Sequence, residues 1–279
     1  MGKRNRWEIF KIFTKQVIKR FNDDGAIDIA ATLAYFFLLS LFPLLIFFFT
    51  ILPYLGLSQD QVLPFLAQYV PDDAMRIIKA NTIHVFNKNG GLLSFSIIAT
   101  IWSASNAVNA IIRAMNKAYE VEENRSFVVA RGLAIILTIA MIIVIVMALA
   151  INVFGPTVTK YIFHYFGISD PFLRIWSMIS FLISFVIIIM VFACLYYFGP
   201  NMRQKFSEVI LGAVISAVGW QVASYAFSFY VNRFGQFSAT YGTLGGIIVL
   251  MLWFYITALI IILGGEINAS YAYIRKNKK

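Results

Sequence analysis

Hydrophobic positions along this chain come in six long blocks, at 29–52, 92–112, 132–155, 173–198, 209–231 and 244–265. Among them they hold only one charged side chain, Arg174. Each block is about 20 residues or longer, the length at which an α-helix rising about 1.5 Å per residue crosses a hydrocarbon core about 30 Å thick. Inside lipid every backbone polar group must be paired within its own segment, which leaves helices or closed barrels. Alternation of apolar and polar residues is absent from these blocks. The pattern predicts an all-α polytopic membrane protein, a bundle of about six transmembrane helices. The fifth block holds Gly212, Gly219, Trp220, Gln221 and Ser224 and is polar enough to predict a protein-facing side.

Between and around the blocks the pattern changes. Residues 3–22 place Trp7, Phe10, Phe13, Val17, Ile18 and Phe21 at helical spacing, with Lys3, Arg4, Arg6, Lys11, Lys15, Lys19 and Arg20 largely opposite. That is the signature of an amphipathic helix lying on the inner membrane surface, or of a soluble helix packed under the bundle. A basic stretch of this length, with no short apolar run leading to an Ala-x-Ala site, is not expected to be a cleavable signal peptide. Residues 53–91 mix apolar and charged positions around Pro71 and predict two short amphipathic helices that cap the outer side of the bundle or gate a cavity. The chain therefore reads as one membrane domain, 1–279. It comprises a basic N-terminal helix (1–26), the helical bundle (29–265) with the segment 53–91, and a basic tail (266–279).

Charge sets the orientation. With the N-terminus inside, the inner segments 1–26, 113–131, 199–208 and 266–279 carry seven, four, two and four Lys or Arg, 17 of the 23, and the outer segments carry 6. This asymmetry predicts that both termini are cytoplasmic. The composition, 60% hydrophobic and 13% charged with mean hydropathy +0.79, excludes a water-soluble domain. The net charge of +10 is then the mark of a membrane face, and no nucleic-acid partner is expected. The single cysteine, Cys194, lies inside a block, so no intrachain disulfide forms and the residue reads as packing.

Several stretches carry a resemblance. They are ATLAYFFLLSLFP at 31–43, WSASNAVNAIIRAMNKAYEVEENRS at 102–126, Gly199-Pro200-Asn201, FSFYV at 227–231, YGTLGG at 241–246, LWFY at 252–255 and GGEINA at 264–269. In this order and topology they resemble the YihY/BrkB family of bacterial inner-membrane proteins, some of which were formerly labelled ribonuclease BN. The resemblance covers most of the chain and implies six membrane helices and an envelope setting. Gly265 departs from it, since Ala is expected there in many relatives.

The residues themselves argue against catalysis. A ribonuclease needs a metal held by carboxylates and histidines, or a histidine pair for acid–base work. The only two histidines, His84 and His164, fall in outer segments, and the inner carboxylates Glu8, Asp23, Asp24, Glu120, Glu122, Glu123, Glu208 and Glu266 show no metal-ligand spacing. No cofactor and no metal are expected.

What the blocks do contain is neutral and polar. Trp102, Ser105, Asn106, Asn109 and Arg113 fall at i, i+3, i+4, i+7 and i+11, one stripe of a helix. Its guanidinium lies at the inner rim, where it serves as a positive-inside anchor or binds a phosphate. Asn106, Asn109, Arg113 and Gln221 are the candidate headgroup contacts. Pro43 is a candidate kink. The turn Tyr241, Gly242, Gly245 and Gly246 offers close backbone approach, for gating or for packing against Gly212 and Gly219. A lipid path tolerates an uncharged groove because acyl tails stay in the bilayer. The expected function is binding of a lipid or other amphiphile, with anionic headgroups as partners, and its movement between leaflets of the cytoplasmic membrane. A non-transporting scaffold for envelope machinery is the alternative.

Overall fold

The computed structural model describes residues 6–56, 63, 89–144, 171–234 and 244–276. Among them there is no strand. Seven α-helices appear, α1 (Arg6–Asp23), α2 (Ala26–Ile51), α3 (Gly90–Ala118), α4 (Phe127–Val144), α5 (Pro171–Phe198), α6 (Phe206–Phe234) and α7 (Leu244–Lys276), with one short 3-10 turn at Leu52–Leu55. Six of them, α2 to α7, are long and apolar enough to cross a membrane. The segment 57–88, apart from Leu63, and residues 145–170 and 235–243 lie outside the described residues. So do the expected outer helices around Pro71, both histidines, Tyr241 and Gly242.

Two helices run past the apolar blocks that announced them. α3 continues from the predicted end at 112 to Ala118, and α7 continues from 265 to Lys276. The first part of the expected basic tail is therefore helical. The 33 residues of α7 measure about 50 Å, more than the hydrocarbon core needs, so its last turns lie beyond the apolar run. Hydropathy marks where lipid ends; the helices continue because their next turns pack on protein.

Punctuation between helices is local. Gly25 adopts a left-handed φ of 63°, which ends α1 and lets α2 begin at once, with Asp28 in its first turn facing the helix dipole. Pro200 follows the end of α5 by two residues. Pro43 sits within α2, which runs on through it to Ile51. Its missing N–H leaves the Leu39 carbonyl without the usual helical donor.

Contacts within the chain define two compact units, Phe36–Ala107 and Met1–Tyr35 with Val108–Lys279. In the first, hydroxyl groups are satisfied by their own helices. Ser40, Thr50, Ser96 and Ser105 donate to the carbonyls of Phe37, Ile46, Leu93 and Trp102 at 2.6–2.9 Å. These hydroxyls thus enter apolar helices at little cost. In the second unit α6 packs between α5 and α7, and α1 packs against α7. Val108 and Ile112 of α3 meet Ala134 and Leu137 of α4. Outward faces carry large apolar side chains such as Ile136, Met178, Val222 and Tyr225, as lipid contact demands.

Candidate functional site

One end of the larger unit gathers the C-terminus of α3, the turns that follow α3 and α5, the α1–α2 junction and the far end of α7. The turn after α3 closes with Glu120 at φ 54°. Val121 N–H donates to the Asn116 carbonyl (2.9 Å) and Glu120 N–H to that of Lys117 (3.0 Å). This is a helix stop that normally employs glycine. Its geometry points Asn116 inward, where the side chain does two jobs. Nδ2 donates to Glu123 (2.8 Å), and Oδ1 accepts the backbone N–H of Asn201 (2.7 Å). Asn201 in turn donates to the Glu122 carbonyl and accepts from Arg125 Nε, both at 3.0 Å, while Arg125 also reaches the Gly199 carbonyl at 3.0 Å. The Glu120–Glu123 stretch is therefore part of a fixed joint between two turns.

Beneath that joint α5, α6 and α7 meet closely. The Tyr196 hydroxyl donates to the Ile261 carbonyl (2.8 Å) and shares a 2.7 Å hydrogen bond with Ser216. Asn268, fully buried, accepts the Gly212 N–H (2.7 Å) and donates to the Val209 carbonyl (3.1 Å). A Cβ at Gly212 would run into the Gly264 carbonyl oxygen, and one at Gly264 into Ser216 Oγ and Tyr196 OH. These two glycines let the helices come within backbone contact.

The third part is ionic. Arg20 of α1 donates to the Ala118 carbonyl (2.7 Å), pairs with Glu120 (3.0 Å) and lies over the Tyr273 ring of α7 (5.2 Å). Lys117 donates to the Asp24 carbonyl (2.6 Å), and Arg275 pairs with Glu208 (3.1 Å). Glu266 is buried among these groups, with Asp24 in hydrogen-bonding range and Arg20 and Lys117 nearby. Burial, then the carboxylates of Glu208 and Glu266, push the Tyr119 phenol well above its ordinary range, so it stays protonated. Among the described residues no group of three His, Cys, Asp or Glu is arranged to hold a metal.

The residues singled out from sequence lie elsewhere. Asn106 and Asn109 are half-buried and Arg113 is exposed, as are Trp102 and Lys117 along the same side of α3. The opposite side, with Ile111, Ile112, Met115 and Asn116, is buried. Apart from Ser105, which is buried, the stripe lies on the more exposed side of its helix. Gln221 is half-buried on α6 and belongs to no part of the network above. Gly245 is buried and Gly246 exposed in the first turn of α7. The close approach of Gly212 is made to Gly264, far along α7 from that turn, and Gly219 faces Ile260. Sequence reasoning did not select Arg20, Asn116, Asn201, Tyr196, Glu266 or Asn268. Four of these six stand inside stretches that carry the family resemblance: NK at 116–117, Gly199-Pro200-Asn201, and GGEINA at 264–269.

Six apolar helices, with a dense polar joint at one end and an amphipathic helix docked beside it, define a polytopic α-helical membrane protein. The chain belongs to the family described as Virulence factor BrkB, which matches residues 17–279. It is 48% identical over 268 residues to the ribonuclease-like protein YfkH of Bacillus subtilis (strain 168), covering 96% of each chain. A UPF0761 membrane protein of Alteromonas mediterranea is 26% identical over 98% of this chain and 90% of its own. Another, from Alkalilimnicola ehrlichii, is 26% identical over 94% of this chain and 59% of its own. No solved structure matches.

Proposed function

We propose that this protein binds an amphiphile with an anionic headgroup on the outward stripe of α3 and moves it between the leaflets of the bacterial cytoplasmic membrane. The observation that carries this reading is the stripe itself. Asn109, half-buried, and Arg113, exposed, lie on the side of α3 opposite its buried one. Polar groups on an open membrane-facing surface cost free energy unless something polar meets them there. A headgroup does so while its tails remain in lipid. From Trp102 to Arg113 the stripe is about 16 Å long, about half of a hydrocarbon core. It leads to a guanidinium suited to bidentate phosphate contact. The basic end is then the cytoplasmic one, in keeping with its share of Lys and Arg.

The reading assigns no catalytic step. The ribonuclease-like name belongs to the Bacillus relative. Here Glu120, Glu123 and Glu208 are engaged in ion pairs.

The test is leaflet exchange of labelled phosphatidylglycerol, phosphatidylethanolamine and a lipid-linked sugar phosphate in proteoliposomes, comparing wild type with Arg113→Ala and Asn109→Ala. Exchange above the empty-liposome rate that falls several-fold in both variants supports the reading. Exchange at the empty-liposome rate for every lipid, with and without a membrane potential or proton gradient, refutes it.

The scaffold alternative has its own observation. On α1, Trp7 and Ile18 are 59% and 57% exposed on one side beside Lys11 and Lys15, a surface open to a membrane or a protein partner. Deleting residues 1–22 would also remove Arg20 and its contacts with Ala118 and Glu120. Trp7→Ala with Ile18→Ser is the cleaner variant. Loss of co-purifying envelope proteins with exchange absent throughout favours the scaffold.

A further inference from the structure

The ionic part of the polar joint contains more polar atoms than its hydrogen bonds account for. Glu266 is 1% exposed and Ser270, one turn further along α7, is 0% exposed. Glu266 Oε2, Ser270 Oγ, Tyr119 OH and Arg20 Nε are all buried without a hydrogen-bond partner. Glu266, Ser270 and Tyr273 fall at i, i+4 and i+7, one side of α7. This is the side that meets α1, because Tyr273 lies under the Arg20 guanidinium.

Burying a carboxylate with an oxygen unsatisfied costs several kilocalories per mole unless a partner or a proton relieves it. The partner here is itself an acid, Asp24, from the junction of α1 and α2. Two carboxyl oxygens in hydrogen-bonding range repel unless a proton lies between them. Charged and titratable groups from several elements lie around the pair; Asp28 Oδ2 and Lys117 Nζ stand 3.9 Å and 4.0 Å from where a Cβ of Gly25 would be. Arg20 is occupied by Glu120 and the Ala118 carbonyl; Lys117 by the Asp24 carbonyl. Tyr119 faces Glu266 from the end of α3, with Tyr196 and Glu208 behind it. Among the described residues no group of three His, Cys, Asp or Glu is arranged to hold a metal ion, whereas a single proton suits the spacing of two facing carboxyls.

We propose that Glu266 and Asp24 hold one exchangeable proton between them, and that this shared proton latches the α1–α2 junction onto α7. The inference stands apart from the lipid reading: it concerns a different face and a different ligand. Losing the proton leaves two facing carboxylates, which drives the junction away from α7.

The test uses the full chain in liposome films while pH is stepped from about 9 to about 5, a window in which ordinary carboxylates stay ionised. Difference infrared spectra should show a carboxylic-acid carbonyl band that grows on acidification. It should be absent in Glu266→Gln and displaced along the pH axis in Asp24→Asn. In parallel, amide hydrogen exchange of residues 6–24, corrected for its intrinsic pH dependence, should slow about tenfold on acidification in the wild type. In Glu266→Gln, which keeps a hydrogen bond to Asp24, it should be slow and independent of pH. The proposal is overturned if the wild type shows no titrating band, if the band survives in Glu266→Gln, or if exchange of residues 6–24 ignores pH in the wild type. Melting curves of Glu266→Gln within a few degrees of wild type show that the comparison is between folded proteins.

Discussion

The contact of α6 with α7 makes a prediction that two alanine substitutions, one on each helix, resolve. At Gly212 a new methyl would overlap the Gly264 carbonyl oxygen and stand 2.5 Å and 2.6 Å from Nδ2 and Cγ of Asn268. Backbone cannot rotate aside, so the helices must part. Overpacking of this kind costs about 1–3 kcal/mol. Parting also breaks the bonds of Asn268 to Gly212 and Val209, which leaves a buried amide unsatisfied at a further cost of about 1–3 kcal/mol. Better helix propensity returns about 1 kcal/mol. The net is roughly 2–4 kcal/mol, a fall in Tm of about 5–15 °C for a chain of this size. Gly265→Ala differs although it is the next position in α7. Its methyl meets Met115 Cε and Sδ, the free end of an adaptable side chain. The shift of Met115 and the gain in propensity nearly cancel, to within about 1 kcal/mol. Thermal unfolding in detergent, followed by tryptophan fluorescence, reads both. Equal shifts for the two variants, or an unchanged Tm for Gly212→Ala, would refute the packing argument.

Three further outcomes follow from the same geometry. Asn201→Ala removes the bonds to Glu122 and Arg125 and should cost about 1.5–3 kcal/mol, with faster proteolytic nicking in 119–126; unchanged nicking would mean the two turns are not joined through this side chain. Arg113→Ala, at an exposed position, should leave stability within about 0.5 kcal/mol of wild type while lipid exchange drops, so a large fall in Tm would point to a structural role instead. Tyr119 gives a pH signature. Its phenol is held above the ordinary 10.0 in the fold, so its contribution is complete below that value. It is lost as pH rises from there toward the folded value, because the unfolded phenol ionises first. Wild type should lose stability above about pH 10 more steeply than Tyr119→Phe, and parallel pH–Tm curves would contradict this.

The helices were legible because lipid imposes a length. A hydrocarbon core demands about 20 consecutive apolar residues, and all six blocks lie on helices in their described parts. The same rule hid the ends of α3 and α7, since Asn116 and the turn from Glu266 to Ser270 are polar residues that stay helical by packing on protein. Helical spacing also placed Asn106, Asn109 and Arg113 on one stripe, since that depends only on the angle between successive residues.

Which side of α3 is covered is a different kind of fact. It depends on where α4 and the following turns lie, and those put Asn116 inside and Arg113 outside. The polar joint joins residues 85 and 76 positions apart, Asn116 with Asn201 and Arg125 with Asn201, and 56 apart in Gly212 with Asn268. No local periodicity encodes such pairs. From sequence alone, Glu266 is an acidic residue at the rim of a membrane span and Gly264 one more small residue in an apolar run. The chain by itself determines how many helices cross and how long they are, because each segment meets the bilayer alone. Only the tertiary structure decides which polar groups are buried, because a buried polar group is tolerated only where a distant part of the chain arrives to satisfy it.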